Sequence, residues 1–408
     1  MTTFNYPSLS DSEDIFILSM ETQQDKGDEG EAYVMRLAYG TYLKYWCYPN
    51  PKDETGDKKE ICDLLILFRD TAIIISVKNH HYDGDYDRYK KKVIEKSTNQ
   101  LNGAYRKLFK SVNDISIKHP DRDVEKFEPH RFKHVFRITI NVGEQFEQYN
   151  LSDHVEGKGF INIFDKDTFE AIIDELDTIN DLTDYLIKRE KLLSLGFKLN
   201  EACREKDLLA LFVTNAREFP EMGDFSLCQS AWEKYLLSAA YNFKRRKDGP
   251  SYFIDQMVAR EVLKLNDGES LARELMNTTR FERRQLANNI FSLLEKHQFT
   301  FGDLLVRRYH VHNEIGHLVI YYSPDIVEKN VDEIVKLAAE IYAFKYGEKD
   351  VVVIAVTDKL KQYKFGLFKK LEGPVAPQAI ERLNTLIENF GWFKNEQRIE
   401  QRDSEFPK

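Results

Sequence analysis

The chain has 408 residues, 42% of them hydrophobic and 31% charged, a profile that fits a globular protein long enough for two domains. Its net charge of −9 argues against generalised nucleic-acid binding, so any contact with a polyanion has to come from a local patch. Cys47, Cys62, Cys203 and Cys228 show no Cys-x-x-Cys spacing, which predicts reduced cytoplasmic thiols and no zinc site; no run is long enough to cross a bilayer.

Residues 1–26 are acidic, lack the basic-then-apolar start of a signal peptide, and predict a flexible N-terminus apart from the apolar piece Ile15-Phe16-Ile17-Leu18. A helix is expected from Glu29 to about Tyr45, with Val34, Leu37, Ala38 and Thr41 on one face. The polar segment Pro49–Lys59 reads as a loop. Two apolar strands follow, one opened by Asp63 and one closed by Lys78, with Arg69-Asp70 as the turn. Alternation puts Ala72, Ile74, Ser76 and Lys78 on one face and Ile73, Ile75 and Val77 on the other. A lysine ending such an apolar run is costly to bury unless it meets an anion.

Beyond Lys78 the pattern predicts a Tyr/Asp-rich loop, a helix carrying Gln100, a strand near Val135–Val142, a strand Phe160–Phe164 and a helix Asp167–Leu176. Leu176-Asp177-Thr178 and Asp181-Leu182-Thr183-Asp184 read as two consecutive capped helix starts. A domain boundary is expected near residues 195–205.

Four of these elements, taken in order and spacing, resemble the PD-(D/E)xK nuclease superfamily over the N-terminal half of the chain, with the nearest look to its Mrr-like and NERD-type branches. They are Gly27-Asp28-Glu29-Gly30-Glu31, Asp63-Leu64-Leu65-Ile66, Ser76-Val77-Lys78-Asn79, and Gln100 on the following helix. One departure stands out: Ser76 occupies the place of the usual glutamate.

The resemblance implies an α/β fold, a restriction-endonuclease-like mixed sheet flanked by helices over residues 27–200. Residues 201–408 then form a second α/β (α+β) regulatory or partner-binding domain. It also implies a Mg2+- or Mn2+-dependent DNA endonuclease, with RNA as the other polymer to consider. Glu31, Asp63 and the carbonyl of Val77 would hold the metal; Glu31, Asp63, Ser76, Lys78 and Gln100 would form the catalytic set. Lys78 would orient the attacking water and offset transition-state charge, and Gln100 would position Lys78 or the phosphate. Because Ser76 carries no charge, Glu60 or Glu29 would supplement the ligands, or the site has decayed and binds without cutting. Proteins of this design are often prokaryotic restriction or anti-phage effectors, working with partner proteins or as homo-oligomers.

Residues 88–110 contain Arg88, Lys90, Lys91, Lys92, Lys96, Arg106, Lys107 and Lys110 against Glu95 alone. Lys90, Lys91, Lys92, Lys96, Arg106 and Lys107 form a candidate nucleic-acid surface, with Tyr82, Tyr86, Tyr89 and Tyr105 interleaved for stacking. A solvated helix face is the competing explanation.

The C-terminal half reads as α/β without a diagnostic motif. Helical segments are expected at Trp232–Lys247 and Ser270–His297. A hairpin is expected from Leu304–Val311 and His317–Tyr322, then a helix Val331–Tyr346 and strands Val351–Val356 and Tyr363–Leu367. His310, His312 and His317 have no completing ligand at metal-site spacing. No glycine-rich phosphate loop is present.

Overall fold

The computed structural model describes residues 26–42, 44–81, 84–143, 152–155, 159–197, 203–220, 229–297, 305–312, 315–347, 350–357, 363–369, 375–392 and 405. The apolar Ile15–Leu18 piece, Tyr82, Cys228 and the turn Asn313-Glu314 lie outside them.

The N-terminal part runs α1 (Lys26–Tyr42), β1 (Cys47–Pro49), β2 (Leu64–Phe68), β3 (Thr71–Lys78) and α2 (Tyr86–Tyr89). A π-helical turn, Lys90–Glu95, leads into α3 (Lys96–Lys110), β4 (Ser116–Lys118), β5 (Val124–Lys126) and β6 (His134–Asn141). Then come β7 (Ser152–Val155), β8 (Gly159–Asp165), α4 (Lys166–Glu175) and α5 (Ile179–Ser194). Lys26, expected in a flexible arm, therefore belongs to a helix. The two helix starts expected after Leu176 resolve into one, at which the Thr178 hydroxyl caps the N–H of Asp181.

The first sheet has the order β1-β2-β3-β6-β8-β7. β3, β6 and β8 are mutually parallel, and β1, β2 and β7 are antiparallel to their neighbours. Both faces are covered, which is why its strands read as nearly continuous apolar runs. Ile73, Ile75 and Val77 join Leu64, Ile66, Phe136 and Ile138 in the cluster that holds Val34 and Ala38 of α1. Ala72 and Ile74 join the cluster under Leu101, Ala104 and Leu108 of α3. Burying one such aliphatic side chain contributes roughly 1.5–3 kcal/mol.

A helical stretch follows: α6 (Glu205–Thr214), α7 (Ala231–Leu236), α8 (Ala239–Asp248), α9 (Tyr252–Arg260), α10 (Gly268–Met276) and α11 (Arg280–His297). Two of these breaks interrupt expected single helices. Ser238 caps Tyr241 at the start of α8, and Thr279 and Glu282 form a reciprocal cap at the start of α11. The three arginines of α11 are buried and paired: Arg280 with Asp177 and Asp255, Arg283 with Asp255, Arg284 with Asp248.

The chain ends in β9 (Leu305–His312), β10 (Ile315–Tyr322), α12 (Glu328–Tyr346), β11 (Asp350–Val356), β12 (Tyr363–Lys369) and α13 (Pro377–Asn389). Their sheet has the order β12-β11-β10-β9, with β10 and β11 parallel and β9 forming the expected antiparallel pair with β10. One face packs under α12 through Leu318, Ile320 and Val353. The other contributes Val319, Tyr321 and Ile354 to the same apolar cluster that contains Val34 and Ile73. That cluster is continuous across residue 200. Among the described residues no helix is long and apolar enough to cross a membrane.

Candidate active site at the strand ends

Asp63 lies one residue before β2, just beyond the register pair Leu64–Ile75. This places its carboxylate beside the end of β3, where Oδ2 accepts the main-chain N–H of Val77. The Lys78 ammonium folds back over the same strand. It donates to the Val77 carbonyl at 2.8 Å and the Ser76 hydroxyl at 2.9 Å, and lies 3.9 Å from Asp63 Oδ2. Burial lowers the Lys78 pKa, and so does the charge of Lys96, whereas Asp63, Glu31 and Glu60 pull it up. Glu31 and Asp63 are therefore both within electrostatic reach of Lys78. Glu60, exposed on the approach to β2, is hydrogen-bonded to Asp63, and burial together with that neighbouring charge raises its pKa. Glu29 is exposed on α1.

Gly30 explains how α1 brings Glu31 here. A Cβ at Gly30 would fall 2.7 Å from the Val142 side chain and 3.6 Å from that of Val77. Only a glycine lets the helix lie this close to the ends of β3 and β6.

Gln100 reaches Ser76 at 3.5 Å and not Lys78, so its hold on the lysine is indirect. Beneath it, Thr139 of β6, paired in register with Ser76, donates to Ser97 at 2.9 Å. Ser97 in turn bonds the carbonyls of Val93 and Ile94 in the π-helical turn. A polar seam of Ser76, Thr139, Ser97 and Gln100 thus runs between sheet and helix next to the lysine.

Lys90, Lys91, Lys92, Lys96 and Arg106 are exposed, whereas Lys107 is half-buried and paired with Asp57 at 2.5 Å. The expected row of stacking tyrosines is corrected in part. Tyr89 is buried at 2% exposure in the core, and Tyr105 stacks on Phe109 with Arg137 over its ring. Tyr86 alone of the described three is well exposed.

Two positioning residues escaped the sequence reading. The Asn141 side chain clamps the peptide of His80, accepting from its N–H at 3.0 Å and donating to its carbonyl at 3.1 Å. Asn141 pairs in register with Lys78, so the clamp fixes the chain as it leaves the lysine. Gly143 lies against the same peptide: a Cβ there would fall 2.3 Å from the His80 carbonyl oxygen. An asparagine ending a buried apolar strand, two residues before a glycine, was the available signal.

The donors gathered here are hard oxygens: the Asp63 carboxylate, the Val77 carbonyl, the Ser76 hydroxyl and the nearby Glu31 and Glu60 carboxylates. Donors of this kind are the ones that could hold Mg2+ or Mn2+, and two of them, the Val77 carbonyl and the Ser76 hydroxyl, already accept from Lys78. Among the described residues no group of three or more His, Cys, Asp or Glu side chains is placed to share one ion, so water and the main chain would complete the coordination. Cys47, Cys62 and Cys203 are buried, and burial pushes the Cys47 and Cys62 thiols up, away from reactivity.

No family model matches the chain. No curated protein matches it either. A solved structure described as "Crystal structure of SSO0001" matches 40% of this chain and 91% of that one, at 11% identity and a TM-score of 0.16, which is too slight a likeness to carry an argument.

Proposed function

We propose that the protein is a metal-dependent endonuclease that hydrolyses phosphodiester bonds in DNA at the end of β3. The observation that carries this reading is Asp63 and Lys78 meeting at the end of β3, with the charge of Glu31 felt at the lysine, beside an exposed basic helix. Glu31, Asp63 and the Val77 carbonyl would hold Mg2+ or Mn2+, which when bound would polarise the phosphate and acidify a coordinated water. Lys78 would donate to the phosphoryl oxygens. With its pKa lowered by burial, it is also closer to exchanging a proton with the attacking water than an exposed lysine is. Lys90, Lys91, Lys92 and Lys96 would hold the flanking backbone phosphates. We further read the protein as a cytoplasmic restriction or anti-phage effector, governed by its C-terminal half or a partner protein.

The test is incubation of the purified protein with plasmid and single-stranded DNA in magnesium, manganese or chelator. Cleavage that requires the metal and is lost in Asp63→Ala and Lys78→Ala supports the reading. Undiminished cleavage in both variants removes the site from consideration.

A second reading, a nucleic-acid-binding protein that does not cut, is favoured by the hydroxyl of Ser76 standing against Lys78. Binding without cleavage under every metal, with cleavage appearing in Ser76→Glu, would select it.

A further inference from the structure

A cleft of about 660 Å³ opens at the opposite end of the same parallel strands, between the starts of β6 and β8 and the last turns of α5. Phe136, Phe160 and Ile187 line its apolar part, Glu190 is its acid, and Lys133 and Lys191 stand at its polar part. Its volume lies in the range of small-molecule sites.

What marks the cleft as built is the support behind Glu190. Asn162, fully buried on β8, donates to Glu190 Oε1 at 2.7 Å, and its own oxygen accepts from Arg189. Arg189 is fully buried too, and donates through Nε and NH2 to the buried Glu205 at 2.6 and 3.1 Å. Sinking an ion pair and an amide into the core is expensive, and here the chain of contacts ends by fixing one carboxylate at a cleft wall. Such second-layer support is how a recognition group is held in one orientation. On the same wall, one helical turn before Glu190, Ile187 keeps 44% of its area exposed.

We propose that this cleft binds a nucleoside phosphate, its flat base against Phe136, Phe160 and Ile187, a base N–H donated to Glu190, and its phosphate directed to Lys133 and Lys191. The three features select this class together. An alkyl amine would meet Glu190 and bring no anion to the lysines. A fatty acid would meet the lysines and bring no donor to Glu190. A neutral aromatic would meet neither charge. Lys133 is 77% exposed in its side chain and holds Asp70 at 3.6 Å, so it can exchange that partner at little cost.

The inference does not rest on the cleavage reading, and the experiment keeps the two apart. The full chain is titrated calorimetrically with AMP, GMP, CMP and UMP at low and moderate salt. At least one should bind saturably at one site per chain and more weakly as salt rises. Glu190→Gln, which preserves an acceptor for Asn162, should weaken that binding roughly tenfold or more. Ile187→Trp, a change at a half-exposed position that fills the cleft, should abolish it, and Asp63→Ala should leave it intact. No saturable binding by any of the four overturns the proposal. So does binding that survives both cleft substitutions, or binding that is lost in Asp63→Ala, which would place the ligand at the end of β3.

Discussion

Asp63 accepts the N–H of Val77, and the carbonyl of that same residue holds the Lys78 ammonium at 2.8 Å. One carboxylate thus ties down the peptide from which the lysine is suspended. Structure and proposed chemistry are coupled at this residue and can be separated by substitution. Asp63→Asn keeps an acceptor for Val77, so thermal melting should stay close to that of the parent while metal-dependent cleavage is lost. Asp63→Ala strands a buried N–H and should cost an additional amount of about 1–3 kcal/mol in urea unfolding. Equal melting of the two variants would contradict the coupling.

The basic helix makes a graded prediction. Lys107 already spends part of its charge on Asp57, whereas Lys96 is exposed and its charge is felt at Lys78. In binding to duplex DNA with chelator present, Lys96→Ala should reduce the slope of log affinity against log salt by roughly 0.9, the value of one phosphate contact. Lys107→Ala should reduce it by less. The reverse order would move the binding surface elsewhere.

Glu60 should report the crowding of negative charge. Its pKa is raised above the ordinary 4.5, so the folded state holds the proton longer than the unfolded chain does. The ionised group therefore costs stability above its folded pKa, and that cost disappears as pH falls through that pKa toward 4.5. Glu60→Gln should raise the melting temperature at neutral pH, with the advantage closing in acid. Lys78, with its pKa lowered from 10.5, has the opposite window: its cost is present at neutral pH and fades as pH rises toward that value. Melting curves from acid to alkaline pH, on the parent and Glu60→Gln, test both slopes.

The clamp on His80 separates two kinds of damage. Asn141→Ala removes two hydrogen bonds to one peptide and should destabilise by about 1–3 kcal/mol. Gly143→Ala forces a Cβ into the His80 main chain, which cannot yield as a side-chain tip can, and should be the more harmful. Urea unfolding orders the two. If Gly143→Ala proves neutral, the close packing of that turn is not what holds the chain beyond Lys78.

The fold was legible where burial is two-sided. The runs at β2, β3, β6 and β8 announce themselves by apolar content, and the alternation that separates Ile73, Ile75 and Val77 from Ala72 and Ile74 matches the division of the two sets between two clusters. Strands of three or four residues, such as β1, β4, β5 and β7, are too short to show a period. The break between α10 and α11 was readable after all: Thr279-Arg280-Phe281-Glu282 spans a cap-box spacing, and the helical pattern on both sides masked it. At the candidate site, Asp63 and Lys78 drew attention because charge in an apolar context is conspicuous, and Glu31 through its spacing after Gly27 and Gly30. Asn141 and Gly143 left only the weaker signal of an asparagine ending an apolar strand near a glycine, since what they hold is His80, far upstream. Tyr89 misled because its neighbours are lysines, and neighbours in sequence say little about which side of a widened turn faces inward.

The apolar cluster that starts at Val34 and ends at Val356 has an implication for how the molecule comes apart. Because both sheets and the helices between them share it, heat should melt them in a single event. A chain stopped after residue 200 would strip α6 from α4 and take Glu205 away from the buried Arg189, and should precipitate instead of surviving as a free-standing half.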